Sequence, residues 1–189
     1  MGMDALMAAL VTAIVIHATD RTPWLIAGLG ARYRQHLLIL IGVAGALAAV
    51  NALATIGGAA LAPRLTPNAR ALFLALALAA AGLGCFGTLK PPESFSGWRT
   101  GPLLTPLVGM LTLGFGSAQF VAMALALRSG TSAFAAIGAT LGGLVIAGGA
   151  LALGEAGVAR ARRRAVRLPV GVILLVVAAV FALGALRLV

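Results

Sequence analysis

The chain is short of charge, of aromatic rings and of cysteine. Only 10% of its 189 residues are Asp, Glu, Lys or Arg, 5% are aromatic, and Cys85 is the single cysteine. A soluble domain keeps about a quarter of its residues charged, so this sequence has too few charges to cover a water-facing surface. One cysteine closes no intrachain bridge, which excludes a disulfide scaffold. Acidic residues are scarcest of all, four against fourteen Lys and Arg. No HExxH, Walker loop or serine elbow occurs, so no enzyme chemistry is expected.

What is abundant is apolar. Of the residues, 61% are AVILMFWYC, and the mean hydropathy is +1.09. Such a chain is an integral membrane protein with the lipid bilayer as its partner, and the composition excludes soluble enzymes and nucleic-acid modules. The net charge of +10 does not indicate a nucleic-acid partner. The arginines stand between apolar runs, five of them from Arg160 to Arg167, as in cytoplasmic loops.

A helix needs about 20 apolar residues to cross a hydrocarbon core. The pattern predicts an all-α protein of six transmembrane helices, at about 4–31, 37–61, 70–89, 102–127, 132–155 and 168–187. Small residues dominate the spans, and Gly138-Ala-Thr-Leu-Gly142 has the GxxxG spacing that lets helix backbones approach closely. Asp4 stands where a cleavable signal would carry positive charge, so span one reads as a retained helix. Lys and Arg number nine on the first, third and fifth loops (Arg32, Arg34, Lys90, Arg99, Arg160, Arg162, Arg163, Arg164, Arg167). The other side has four, Arg64, Arg70, Arg128 and Arg187. The bias predicts external termini and a cytoplasmic Arg160–Arg167 loop.

Shifting the sequence by 96 residues aligns Arg32 with Arg128, Ile41-Gly42 with Ile137-Gly138, and Gly58 with Gly154. The span boundaries align under the same shift. This predicts repeat one over 1–89, a cytoplasmic linker over 90–101, and repeat two over 102–189 with an arginine-rich loop at 157–167. Three helices per repeat is an odd number, so the second copy enters from the opposite face. Inverted repeats of this kind are common in secondary transporters, whose sites lie near the midplane in broken helices.

Span one contains such a break. Twelve apolar or small residues, Ala5 to Ile16, run into His17-Ala-Thr-Asp-Arg-Thr-Pro23. At 1.5 Å per residue His17 lies about 18 Å into the span, near the bilayer centre. Pro23 removes an amide and clashes with the carbonyl four residues earlier, so the helix kinks or breaks there. His17 and Asp20, three apart, share a face, while Arg21 projects elsewhere. The blander reading, that Asp20 and Arg21 begin a loop, leaves Ala5–Ile16 too short to span. At the matching depth repeat two offers Gly114-Phe-Gly-Ser-Ala-Gln119, with Ser117 and Gln119 as neutral oxygens. Asn51 is the other strongly polar residue within a span, and alone it reads more readily as an interhelical hydrogen bond than as a ligand.

With three-plus-three helices and His17-Ala-Thr-Asp-Arg-Thr22 closing the first, the chain resembles the Gdt/TMEM-type cation:proton antiporters. That family carries E-x-G-D-[KR]-[TS] in the first helix of each half and is associated with Ca²⁺ and Mn²⁺ transport. The first copy here keeps Asp20, Arg21 and Thr22, with His17 and Thr19 in place of Glu and Gly. In the second copy Leu113 and Gly116 stand where Glu and Asp would be, and Gln119 remains. The resemblance implies a bacterial inner-membrane exchanger of Mn²⁺ or Ca²⁺ for protons. Its site would comprise His17, Asp20, Arg21, Thr22, Ser117, Gln119 and Asn51, with Asp20 and His17 as metal ligands and no cofactor. The departures imply a weakened cation site, because the family's four carboxylates shrink to one, and that one is offset by Arg21. A structural or regulatory protein of the same fold, or an exporter of another small solute drawn by Arg21, are the competing readings.

Overall fold

Apolar runs punctuated by Pro, Gly and Arg become helices that end at those residues. The computed structural model describes residues 2–87, 100–113, 116–161 and 164–186. Among them are eight α-helices: α1 Gly2–Thr19, α2 Thr22–Tyr33, α3 His36–Leu61, α4 Pro67–Gly84, α5 Gly101–Leu113, α6 Ser117–Ser129, α7 Ser132–Ala161 and α8 Arg164–Ala185. A 3₁₀ turn, Ala62–Arg64, follows α3. The Thr66 hydroxyl caps α4 by accepting from the Ala69 amide, with Pro67 in the first turn where no amide is needed. Gly130, in the left-handed region at φ 69°, closes α6. Five helices (α1, α3, α4, α7 and α8) are long and apolar enough to cross a membrane, and Gly101–Leu111 is a shorter apolar helix. The chain is a multi-pass, all-helical membrane protein.

The first and fourth predicted spans are each two helices. The break in the first falls at Asp20-Arg21, and Pro23 sits in the first turn of α2. The fourth is interrupted between Leu113 and Ser117, with residues 114 and 115 outside the described residues. Helix also reaches further into the arginine-rich stretch than the apolar pattern indicates. α7 runs to Ala161, kinked at Gly154 (φ 63°), and α8 begins at Arg164, so much of the expected 157–167 loop is helical. Arginine is a good helix former, and its stem covers apolar surface while its head reaches water. Arg162, Arg163 and Arg187 lie outside the described residues, as does the linker over 90–99 with Lys90 and Arg99.

The two broken spans are exchanged between the halves of the chain. α7 lies along α1, with Gly138 and Gly142 against the backbone of Leu6 and Leu10, and then along α2, with Leu151 over Gly30. α3 lies along α5, with Gly42 against the Leu103 carbonyl, and then along α6, with Gly58 against the Met123 carbonyl. α3 and α7 pack on each other between them, and α4 pairs with α8. In that last pair Gly82 meets Leu175 while Cys85 meets Gly171, so the two helices run antiparallel. Where α1, α6 and α7 converge the core consists of alanines alone: Ala9, Ala13, Ala122, Ala126, Ala135 and Ala139. Lipid chains are as apolar as leucine, so association here depends on close backbone packing, and small residues permit it.

Backbone contact at Gly138 leaves no room for a methyl group, whereas nothing lies within 4 Å of a methyl placed on Gly148. Gly138→Ala should therefore destabilise the detergent-solubilised protein by about 1–3 kcal/mol through overpacking. Gly148→Ala in the same helix should be neutral or mildly stabilising, since alanine is the better helix former. Thermal unfolding of the two variants side by side tests this, and equal melting temperatures would contradict the seam.

Candidate functional site

α1 cannot continue past Thr19 because the ring of Pro23 would crowd the carbonyl of that residue. Its last backbone bond runs from the Asp20 amide to the Ile16 carbonyl, and α2 restarts with the Leu25 amide on the Arg21 carbonyl. The break leaves backbone groups that lipid cannot satisfy, and a side chain of the polar run takes up one of them. Asp20 Oδ1 accepts from the Thr22 amide at 2.7 Å, capping α2 with negative charge at its positive end. The Thr19 hydroxyl donates back to the Ile16 carbonyl at 2.9 Å and accepts from Cys85 Sγ at 3.6 Å. The lone cysteine is thus a buried packing residue, as expected of a small core side chain.

His17 stands in the last turn of α1 and is 3% exposed. Its Nδ1 lies 3.0 Å from Asp20 Oδ2 and 3.4 Å from the Thr22 hydroxyl. Where Asp20 is ionised its carboxylate only accepts, so in a neutral ring Nδ1 would carry the hydrogen and Nε2 the lone pair. Nε2 is buried and finds no hydrogen-bond partner among the described residues. It faces α7 at Gly143, where a methyl group would sit 3.4 Å from it and 2.7 Å from Leu47 of α3. Gly143 lies close to the middle of α7, and Leu47 close to the middle of α3. The His17–Asp20 pair is therefore set beside the centres of both core helices, at the C-terminal, negative end of α1.

The structure brings His17, Asp20 and Thr22 into one hydrogen-bonded group, and it disperses the other expected residues. Arg21 is exposed. Asn51, 1% exposed, donates from Nδ2 to the Thr140 hydroxyl of α7 at 3.2 Å, the interhelical bond expected of it, while Oδ1 has no partner among the described residues. Gln119 turns back on its own helix, its Oε1 accepting from the Gly116 amide at 3.0 Å. Ser117 begins α6 and is partly buried. The start of α6 does abut the end of α1, for Ala118 and Ile16 belong to one core cluster. Among the described residues no three His, Cys, Asp or Glu side chains gather as a metal site would require.

Sequence reasoning did not pick out Thr140 and Gly143. Both lie in or beside the Gly138–Gly142 motif, whose glycine spacing signalled packing and masked the hydroxyl between. A second polar chain also went unseen: the Tyr33 hydroxyl lies 3.0 Å from Thr105 Oγ1, which lies 2.9 Å from Thr100 Oγ1, joining the end of α2 to the start of α5.

Residues 5–90 match a family model described as divalent cation/proton antiporter GDT1. Neither the curated proteins nor the solved structures give a match. The matched segment covers α1 to α4 and contains the break with His17, Asp20 and Thr22. Over those residues the chain is similar to the Gdt1-type family of divalent cation/proton antiporters.

Proposed function

We propose that this protein exchanges a divalent cation, Mn²⁺ or Ca²⁺ on the family expectation, for protons across a bacterial inner membrane. The observation that carries the reading is the broken first span inside the family-matched segment, with a buried imidazole hydrogen-bonded to a carboxylate at the break. Helix ends within a bundle present carbonyls to cations, and the C-terminal end of α1 adds partial negative charge beside His17 and Asp20. These two are the cation- and proton-carrying pair. Thr22 supplies a neutral oxygen beside them, and Ser117, Gln119, Asn51 and Arg21 would join them only if α6, α3 and the break rearranged around the ion. Leu113 and Gly116 occupy the motif's carboxylate positions in the second half, so the site is weaker than the family pattern implies.

The same reading takes the chain as an inverted repeat, 1–89 and 102–189 joined by a cytoplasmic linker. The 96-residue shift pairs α1–α2 with α5–α6, α3 with α7 and α4 with α8. It also superimposes Gly42 on Gly138, and each of these glycines meets a carbonyl of the other half's broken span. Both support the repeat. External termini and a cytoplasmic Arg160–Arg167 segment follow from the distribution of Lys and Arg.

Cysteines introduced at Asn68 and at Arg160, both exposed, should react with an impermeant maleimide from opposite sides of sealed vesicles. Reaction from one side only would overturn the topology and the repeat together.

Reconstituted vesicles under an imposed proton gradient should take up Mn²⁺ or Ca²⁺, and Asp20→Asn should lower that flux about 10–100-fold, the usual cost of losing a group that tunes a ligand. Restoring the motif with His17→Glu, Leu113→Glu and Gly116→Asp should raise Ca²⁺ flux, because each carboxylate offsets part of the ion's charge where water cannot. A wild-type protein that moves neither ion, with Asp20→Asn altering only its melting temperature, would favour a structural or regulatory role. The lost carboxylates are the observation that keeps that second reading open.

A further inference from the structure

Resting on the exchange reading above, we infer that the atom that receives the cation is His17 Nε2. Asp20 is then a positioning residue, and the site prefers later divalent transition metals such as Co²⁺ and Zn²⁺ over Mn²⁺, and Mn²⁺ over Ca²⁺. Three features of the break support this. Asp20 has both carboxylate oxygens engaged within the break, one on the Thr22 amide and one on His17 Nδ1. A ligating histidine characteristically donates its second ring N–H to a carboxylate, which fixes the tautomer and raises the basicity of the other nitrogen. Here that other nitrogen is 97% buried with its ring and lacks a partner among the described residues, beside Gly143 of α7.

The surroundings are rich in acceptors. Asn51 Oδ1 is a second buried acceptor without a partner among the described residues, and its amide is anchored to Thr140, one turn before Gly143 on the same helix. His17 Nε2 beside Gly143 and Asn51 Oδ1, whose amide reaches Thr140, are buried acceptors that a cation or a water can meet. The donor chemistry then sets the class of ion. Ca²⁺ takes six to eight oxygen ligands and little nitrogen, whereas imidazole suits zinc, iron, nickel and copper, with affinity rising from Mn²⁺ towards Cu²⁺. The Asp20 charge and the carbonyl end of α1 offset part of the ion's charge from one step behind the ligand.

Co²⁺ titrated into the full-length protein in lipid nanodiscs tests this, since a coordinated imidazole gives a hyperfine-shifted, exchangeable N–H proton resonance. The wild type should show that resonance, Zn²⁺ should remove it, and Ca²⁺ at the same concentration should leave it. His17→Gln should abolish it, while replacing the other histidine, His36→Gln, should leave it unchanged. Asp20→Asn keeps an acceptor for Nδ1–H, so it should retain the resonance with affinity lowered about 10–100-fold. A Co²⁺ affinity unchanged by His17→Gln, or displacement of Co²⁺ by equimolar Ca²⁺, would overturn the inference. So would a wild type that binds Co²⁺ without the shifted proton or binds none, the bare nitrogen then being met by water. The exchange reading fails separately: a histidine-bound ion with no proton-coupled flux removes that reading and leaves this one, and Ca²⁺ flux untouched by His17→Gln does the reverse.

Discussion

A helix broken inside a membrane must find partners for its own backbone, and the arrangement of this protein follows from that need. Each unpaired amide or carbonyl in hydrocarbon costs several kcal/mol, so the gap between α1 and α2 persists only where protein covers it. Asp20 takes the Thr22 amide and Thr19 returns a hydroxyl to Ile16. α7 lies along both halves of the broken span. To come so close it must be small at the contact, which is why Gly138, Gly142 and Gly143 occupy the face that meets α1. The polar break and the glycine seam are two sides of one requirement.

The seam also controls the chemistry at the break. With Gly143 opposite His17, Nε2 finds no hydrogen-bond partner among the described residues and is the nitrogen left bare. A hydrogen bond from Nδ1 to Asp20 fixes which nitrogen that is. The carboxylate thus caps a helix and orients a ring at once. Its charge is shared between the positive end of α2 and the imidazole, and Arg21, adjacent in sequence, is exposed. A site of this build differs in kind from one made of converging carboxylates: it offers few charges and one well-directed nitrogen.

Much of this was legible in the sequence. Composition alone gave the membrane class, and the interruption His17–Pro23 located the broken helix within a few residues, because proline and paired charges act locally. The spacing of His17 and Asp20 put them on one face, and they do bond. Asn51 makes the interhelical hydrogen bond its isolation suggested. Other details depend on tertiary contacts that no local rule encodes. Gln119 has the oxygen of a ligand, but the nearest unpaired donor is the Gly116 amide of its own helix start, and the local bond wins. The arginines after Glu155 read as a loop by hydropathy, although helix propensity carries α7 to Ala161 beyond the kink at Gly154. Gly143 and Thr140 were hidden because their role exists only once α1 and α3 are packed against them.

The exchange of broken spans between halves bears on how such a bundle moves. α7 is held to α1 and α2, and α3 to α5 and α6, by close backbone contact, so each core helix and its broken partner form a tight unit built from both halves. α4 and α8 pair with each other and fasten the two halves from outside. α3 also packs on α7, where Ile39, Val43 and Leu47 share a core cluster with Ala147, Ala150 and Leu151, Leu47 meets Gly143, and Asn51 donates to Thr140. His17 Nε2 opens onto that same turn. A shift of α3 against α7 would change what stands before the bare nitrogen while leaving the His17–Asp20 bond, which lies within the α1–α2 break, untouched. The orientation of the ring and what faces its bare nitrogen thus depend on different contacts, the first within the α1–α2 break and the second between α1, α3 and α7.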